Sequence, residues 1–492
     1  MSTLAPLLTA ALLAAVVAAL LPDAARHRTA GALAVWPGAA AAALATLGLA
    51  SALATGHDAG GASLSLLIVA LTVVVQVFAS RNLRGDPRSR TFFVFSSLAA
   101  LGSTVSIGAG DIVLLAAGWT LATLSVIALI ASGGSAPQTR VAVRRSALCL
   151  AIGDAALWAA VVVATASTGS TSPGALGGLE GVPAALVGVL VAVAAIARAG
   201  SFPLHGWLPA TAATTTPVSA LLHAGFVNAG ALLLLRFSPV PSVAGAWLVG
   251  IAGAITMIIA TLAMLTRPDV KGRLVHSTAA QMGFLLMACA FGAFGLALVH
   301  AIGHALFKAS LFLGAGSAVE HALRARTGGR PAPSRSGAVV GGAVVLAVGA
   351  TTVVATGALS HATAVLLLFA LATATVAGAR IGATSAAIST RAALVVTLSI
   401  VVAGYVAVIF PGAEALVPVS DAAALPPLFA VAVFLATLTS FLVTRAVSPL
   451  SDRLFALAFA WGRPPLPAAP PRTHTSWTQA PAGGPLEYRS VS

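Results

Sequence analysis

The sequence has few charged residues. Of its 492 residues only 8% are charged, 12 are acidic and 59% are hydrophobic. A soluble domain carries roughly 25% charged residues, so this chain cannot cover a water-exposed surface. This excludes a soluble enzyme, a soluble nucleic-acid-binding protein and a disordered chain, despite the net charge of +14. The composition predicts an all-α polytopic membrane protein.

Cysteine and lysine are also rare. Cys149 and Cys289 lie in apolar runs, and two cysteines make neither a disulfide framework nor a metal cluster. We therefore expect no metal site, no cofactor and no catalytic residue on this chain. Lys271 and Lys308 are the only lysines among 26 basic residues. Because lysine, unlike arginine, can lose its proton, these two positions suggest proton chemistry.

Long apolar runs separate the rare charges. A helix needs about 20 apolar residues to cross a bilayer, and the runs predict about 13–15 transmembrane helices. The runs are continuous rather than alternating, which excludes a transmembrane β-barrel. The roughly fifteen runs are 4–22, 30–55, 62–80, 91–108, 111–132, 143–167, 183–203, 217–237, 243–265, 275–291, 293–319, 337–358, 361–380, 392–410 and 424–446.

Arginines alternate between the gaps that join these runs. The first, third, fifth, ninth, eleventh and thirteenth gaps and the C-terminal segment carry arginine, whereas most even gaps carry no lysine or arginine. The positive-inside rule then predicts a cell-membrane protein with its N-terminus outside and its C-terminus in the cytoplasm. The seventh gap, 204–216, breaks the pattern because it lacks a cation.

Three ionisable residues share the eleventh run. His300, His304 and Lys308 are spaced i, i+4 and i+8, so they form one stripe of a helix, about 6 Å apart along its axis. Imidazole binds and releases protons near neutral pH, and desolvation favours the neutral form of a lysine. The stripe could therefore pass protons. The alternatives are packing residues with Lys308 on a carbonyl, or a metal site formed by the two histidines.

Asp154 is the only acid well inside a run. An intramembrane carboxylate requires a cation or a bound proton, so Asp154 is a candidate proton-path residue. The alternative is a hydrogen bond between helices without a transport role.

The segment after the seventh run combines helix breakers with ionisable side chains. Pro203, His205, Pro209 and Pro217 predict a helix break, and irregular backbone at membrane depth must be buried or line a cavity. Arg198 precedes the break and can either set a local field or extend to the interface, since guanidinium does not deprotonate. His223, which follows the break, can titrate, and Asn228 is a plausible partner for it.

Three motifs resemble a known family. PLHGWLPATAATTTPVSALLHAG, DVKGRLVHSTAAQMGF and HAIGHALFKASLFLGAGS are similar to signatures of the antiporter-like subunits of respiratory complex I and of multisubunit sodium/proton antiporters. The resemblance covers about residues 90–325. It implies a core of two inverted five-helix repeats, each with a half-channel and a broken helix. Within this superfamily, SRNLRGDPRSRTFF and FGAFGLALVHAIGHALFKA resemble the membrane subunits of DAB-type inorganic-carbon pumps.

The resemblance divides the chain and assigns candidate proton-path residues. It implies N-terminal transmembrane helices (1–90), an antiporter-like proton-translocation core (91–380), C-terminal transmembrane helices (381–446) and a Pro-rich cytoplasmic tail (447–492) that we expect to be disordered. The family's proton-path residues fall on Arg198, His223, Lys271, His300, His304 and Lys308.

One half-channel lacks residues that the family has. The glutamate expected after Trp119 is replaced by Thr120, and Ala151 occupies the position of an expected arginine. The resemblance implies a proton-conducting transporter subunit rather than an enzyme, with a DabA-like partner that carries zinc and hydrates CO2. The alternatives are a cation/proton antiporter or complex I-like pumping subunit, and a non-conducting scaffold.

Overall fold

The computed structural model is all-helical in every part that it describes. The described residues are 4–21, 31–56, 58–315, 334–358, 364–417, 429, 431–433, 435–436 and 449–462. Within them, eleven helical segments are long and apolar enough to cross a membrane. The predicted fold class is therefore confirmed.

The N-terminal half of the described chain forms seven long helices. Their length follows from continuous apolar sequence, and where the joining residues are described, glycine or a short polar loop separates one helix from the next. They are α1 (Leu4–Leu20), α2 (Val35–Thr55), α3 (Ala59–Asn82), α4 (Ser89–Gly108), α5 (Ile112–Ala131), α6 (Pro137–Thr168) and α7 (Gly181–Arg198).

Shorter helices follow α7, and long helices then resume. The next elements are α8 (Trp207–Ala210), α9 (Thr216–Ala224), α10 (Ala229–Arg236), α11 (Val243–Thr266), α12 (Val270–Ala290) and α13 (Phe294–Leu313). The last are α14 (Arg335–Thr356), α15 (Ala364–Ala383), α16 (Ile388–Gly404), α17 (Phe410–Leu416) and α18 (Pro449–Gly462). The first fourteen predicted runs each coincide with helical structure, whereas run 424–446 lies largely outside the described residues.

The predicted break lies between α7 and α9. The chain turns at Gly200, which has a φ of +61° that glycine adopts without strain, and it passes through Pro203 and His205 before the single turn of α8. Pro217 lies in the first turn of α9, where its missing N–H costs no hydrogen bond.

A second break lies inside the eighth run. Helices α9 and α10 are separated by a 3-10 turn over Phe226–Asn228, which begins after Gly225. A Cβ atom on Gly225 would lie 3.1 Å from the Leu71 side chain of α3. The close approach of α3 thus favours glycine at this bend. The eighth run is therefore a broken helix.

Close backbone contacts fix some neighbouring helices. A Cβ atom on Gly283 of α12 would lie 2.5 Å from the Gly253 carbonyl oxygen of α11. In the same way, a Cβ atom on Gly102 of α4 would lie 2.6 Å from the Gly118 carbonyl oxygen of α5. A side chain at any of these positions would separate the two helices.

Contacts between loops define the two ends of the helix bundle. Lys271 Nζ donates to the Thr214 carbonyl at 2.6 Å, which joins the ninth gap to the seventh. Arg267 Nη1 donates to the Gly462 carbonyl at 3.0 Å, which joins the ninth gap to the C-terminal segment. We refer to this end, where the seventh and ninth gaps meet α18, as the arginine-rich end.

The second, fourth, sixth and eighth gaps meet at the opposite end. Arg236 of α10 pairs with Asp58 at 3.2 Å and donates to the Ile107 carbonyl. The Ile112 N–H donates to the Thr171 carbonyl at 2.9 Å. The gaps thus group as the arginine pattern requires, and which end faces the cytoplasm stays a prediction.

The predicted tail contains a helix. Residues 447–492 were expected to be disordered, but Pro449–Gly462 forms α18, which packs on α11. That prediction is wrong for α18, whose Ser451, Ala458 and Gly462 are buried against the rest of the structure. Residues 463–492 lie outside the described residues.

Candidate functional site

Arg198 is buried between aromatic rings. Its side chain is 1% exposed, and Nη2 donates to the Trp119 carbonyl at 3.2 Å and to Thr123 Oγ1 at 2.7 Å. Its Cζ lies 3.7 Å from the Trp119 ring centroid and 4.1 Å from that of Phe226. Of the two alternatives for Arg198, this geometry matches a buried charge rather than one that extends to the interface.

Asp154 faces the same guanidinium. Its Oδ1 accepts hydrogen bonds from Trp119 Nε1 at 2.9 Å and Thr123 Oγ1 at 3.0 Å, and it lies 3.8 Å from Arg198 Nη2. Thr120, which replaces the expected glutamate, accepts from Trp158 Nε1 at 3.0 Å. The α5–α6–α7 region thus holds a compact ion pair, although Nε of Arg198 has no hydrogen-bond partner among the described residues.

His223 lies near the end of α9, after the predicted break and directly before the second break at Gly225. It is fully buried, with Nε2 3.2 Å from Thr211 Oγ1 and its ring stacked on Phe312 of α13 at 4.8 Å. Its Nδ1 has no hydrogen-bond partner among the described residues. The expected partner, Asn228, instead donates to the Ala224 carbonyl at 2.8 Å.

Lys308 is fully buried on α13. Its Nζ donates to the carbonyl of Leu274 on α12 at 3.3 Å, and no carboxylate in the described ranges lies within ion-pair distance of it. Its charge acts electrostatically on both His223 and His304. The structure therefore brings the broken helix and the α13 stripe together around this amine.

His300 and His304 continue the stripe along α13. Their rings are nearly parallel, with centroids 6.1 Å apart, and His300 also lies 5.0 Å from the Phe284 ring. In the part of the chain that the structure describes, neither ring nitrogen of His304 has a hydrogen-bond partner, nor does Nε2 of His300. Both imidazoles thus retain unused donor or acceptor capacity.

Lys271 lies at the start of α12, at the arginine-rich end. Its ammonium donates to the Thr214 carbonyl, and the Thr214 hydroxyl lies 3.0 Å from that of Ser219 on α9. The charge of Lys271 also acts on His223. Lys271 thus contacts the loop that leads into α9, the helix that carries His223.

His276 was not among the residues predicted from the sequence. It is buried on α12, and its Nε2 lies 3.3 Å from the Gly462 carbonyl oxygen at the end of α18. His276 lies within the DVKGRLVHSTAAQMGF motif, but its surroundings depend on α18, which was expected to be disordered. No cluster of three or more potential metal ligands occurs within the described ranges.

Comparisons with known proteins agree with this geometry. Residues 109–328 match the family described as NADH:quinone oxidoreductase/Mrp antiporter, TM. A probable inorganic carbon transporter subunit, DabB1 of Halothiobacillus neapolitanus, is 34% identical over 53% of this chain and 49% of its own length. The subunit L of Mycobacterium tuberculosis NADH-quinone oxidoreductase is 32% identical over 52% of this chain and 42% of its own length.

Solved structures show the same fold. The Mrp complex from Dietzia sp. DQ12-45-1b is similar with a TM-score of 0.57 and 27% identity, covering 93% of this chain and 52% of that chain. An archaeal membrane-bound sulfane sulfur reductase complex gives a TM-score of 0.58 at 17% identity, covering 94% of this chain and 97% of that chain. The latter likeness concerns the fold alone.

The described helices form a polytopic membrane fold that is similar to antiporter-like subunits. Residues 109–328 carry the membrane domain of the NADH:quinone oxidoreductase/Mrp antiporter family, and the resemblance inferred from the sequence is confirmed. The chain spans about half the length of the curated relatives it matches.

Proposed function

We propose that the chain is the proton-conducting membrane subunit of an energy-coupled complex that takes up inorganic carbon, as CO2 or bicarbonate. The observation that carries the proposal is Lys308, a fully buried amine beside imidazoles with unused nitrogens. Relatives in Halothiobacillus neapolitanus and Bacillus subtilis are both named probable inorganic carbon transporter subunits, and these names support inorganic carbon as the transported substrate. The Bacillus subtilis protein is 33% identical over 54% of each chain.

The proposed path starts at the arginine-rich end. Lys271 and the hydroxyls of Thr214 and Ser219 lead to His223, and His223 leads to Lys308. From Lys308 a proton passes along α13 through His304 and His300. Each of these groups can bind and release a proton, and water is required between members that are about 6 Å apart.

The partner in this proposal is a DabA-like subunit that holds zinc. A zinc ion lowers the pKa of its bound water and so supplies hydroxide for CO2 hydration. On this chain, proton movement supplies the energy. One charge that crosses about 100 mV provides about 2.3 kcal/mol, which is enough to bias a coupled step more than tenfold.

Uptake of radiolabelled bicarbonate by cells that express this chain with its partner tests the proposal. We expect Lys308→Ala and His304→Ala to abolish uptake at unchanged membrane abundance. Ser310→Ala, on the exposed face of the same helix, is the matched control and should retain uptake. Normal uptake by the first two variants would refute the proton-path assignment.

The second candidate function is a cation/proton antiporter or a complex I-like pumping subunit. The similarity to the Dietzia Mrp complex and to the mycobacterial subunit L favours it. It predicts transport that depends on sodium or potassium, or co-purification with quinone-reductase subunits. A scaffold without conduction predicts no proton flux in reconstituted vesicles.

A further inference from the structure

A small cavity at the arginine-rich end lies outside the proposed path. It is enclosed by α11, α12 and the loop between α7 and α8, and Trp461 of α18 forms part of its wall. His205 and His276 line it together with Thr256 and Ala260. Two titratable side chains from distant parts of the sequence thus line the same cavity.

The two imidazoles have hydrogen-bonding capacity left over. The buried Nδ1 of His205 has no hydrogen-bond partner among the described residues. His276 uses Nε2 for the Gly462 carbonyl, and the two rings interact electrostatically. The lining is mainly apolar, and the His205 ring, the His276 ring and the Thr256 hydroxyl are the polar groups that a water there would contact, since a buried water needs two to four polar partners.

Specific contacts hold the end of α18 over this cavity. The Gly462 carbonyl accepts from Arg267 Nη1 at 3.0 Å and lies 3.3 Å from His276 Nε2. The C-terminal end of a helix carries partial negative charge, so the Arg267 cation stabilises this position. A Cβ atom on Gly462 would lie 3.0 Å from Thr266 Oγ1, which shows how closely α18 approaches α11.

We propose that His205 and His276 form a hydrated proton-binding site at the arginine-rich end, and that α18 is the cover that controls access to it. The charged groups around it are Arg145 of α6, Arg267 and Asp269. His276 lies five residues after Lys271 on α12, so the site adjoins the start of the proposed path. The inference deepens the proposed function and, for proton delivery, rests on it.

Cysteine accessibility tests the cover independently of transport. Ala260→Cys is introduced after Cys149 and Cys289 are both replaced by alanine, and a small charged methanethiosulfonate is added to vesicles of each orientation. We expect slow labelling with α18 intact, and labelling about tenfold faster, from the arginine-rich end, after Trp461→Ala, since the variant removes one wall of the cavity.

Two further variants make this experiment decisive. Phe455→Ala, an exposed position on the same helix, is the matched control and should leave the labelling rate unchanged. Arg267→Gln removes a hydrogen bond to Gly462 from outside the cavity and should also accelerate labelling. Fast labelling with α18 intact, or the same slow rate in both Trp461→Ala and Arg267→Gln, would overturn the proposed cover.

Proton flux in reconstituted vesicles separates the two proposals. We expect His276→Gln to lower flux severalfold and to leave its dependence on Lys308 intact. Flux that is unaffected by both His276→Gln and His205→Asn overturns the proton-binding role of the site. Absence of flux in the unmodified protein, with labelling as expected, refutes the proposed function but leaves the cover in place.

Discussion

Arg198 and Lys308 are both buried cations, but their surroundings are opposite. Arg198 has a carboxylate within ion-pair distance, a hydroxyl and a carbonyl as hydrogen-bond acceptors, and two aromatic rings against its guanidinium. Lys308 has a single backbone carbonyl within hydrogen-bond distance among the described residues. One site satisfies a permanent charge, whereas the other leaves an amine poorly compensated.

The difference indicates how each cation is used. A guanidinium does not deprotonate in proteins, so the Arg198 site can hold a field and pack helices but cannot carry a proton. Burial of an amine without a counter-charge favours its neutral form. An amine that exchanges protons must reach this neutral form. We therefore expect one conducting region, centred on α13, and one fixed-charge region between α5, α6 and α7.

Substituting lysine and arginine for each other at positions 308 and 198 gives the largest expected difference in proton flux. Lys308→Arg keeps the positive charge but removes the exchangeable proton, so we expect proton flux to fall about tenfold or more. Arg198→Lys keeps a charge where no exchange is needed, and its flux should stay within about threefold of the unmodified protein. A pH-sensitive dye inside reconstituted vesicles measures both.

Membrane abundance and thermal unfolding in detergent are the controls for these two substitutions. If Lys308→Arg conducts normally while its stability is unchanged, Lys308 acts only as a charge and the contrast with Arg198 is lost.

Removal of the carboxylate next to Arg198 tests how much the ion pair contributes to the free energy of unfolding. Asp154→Asn keeps an oxygen for Trp119 Nε1 but leaves the guanidinium unpaired. A buried pair broken in this way costs roughly 3–5 kcal/mol. Because Asp154 is 13% exposed, we expect the free energy of unfolding to fall by about 2–3 kcal/mol, measured by denaturation in detergent micelles.

The double variant Asp154→Asn/Arg198→Gln is the matched control for this change. It removes both charges and should recover part of the lost stability. An unchanged stability in the single variant would show that the two rings and the carbonyl stabilise Arg198 without the acid.

The exposed pair at the opposite end gives the smallest effect. Asp58 is 61% exposed and pairs with Arg236, and such pairs contribute about 0–1 kcal/mol. Asn adopts the left-handed conformation found at Asp58 and can still cap α3 through the Gly61 N–H. We expect Asp58→Asn to change stability by less than about 1 kcal/mol, and a loss as large as that of Asp154→Asn would contradict a special role for burial.

The architecture was largely predictable because membrane helices are specified locally. Continuous apolar runs and alternating arginines define helices and loop sides without knowledge of packing. The α13 stripe was also predictable, since i, i+4 and i+8 positions share a helix face. The break at Gly225 was less visible, because its cause is the approach of Leu71 from α3.

Contacts between distant segments could not be predicted in the same way. The pairing of Asp154 with Arg198 depends on how α6 packs against α7, and the sequence left both residues with open alternatives. The surroundings of His276 depend on Gly462, 186 positions away. Residues 449–462 were assigned to a disordered tail, so no partner for His276 could be inferred.

The close contact between Gly253 and Gly283 limits what can move near Lys308. Helix α12 supplies the Leu274 carbonyl that Lys308 contacts, and α12 lies backbone to backbone against α11. Sliding of α12 would bring a neighbouring side chain against the α11 backbone, whereas the four-carbon lysine stem has several bonds about which it can turn. We therefore expect the acceptor to stay in place during turnover while the amine swings between it and the neighbouring imidazoles.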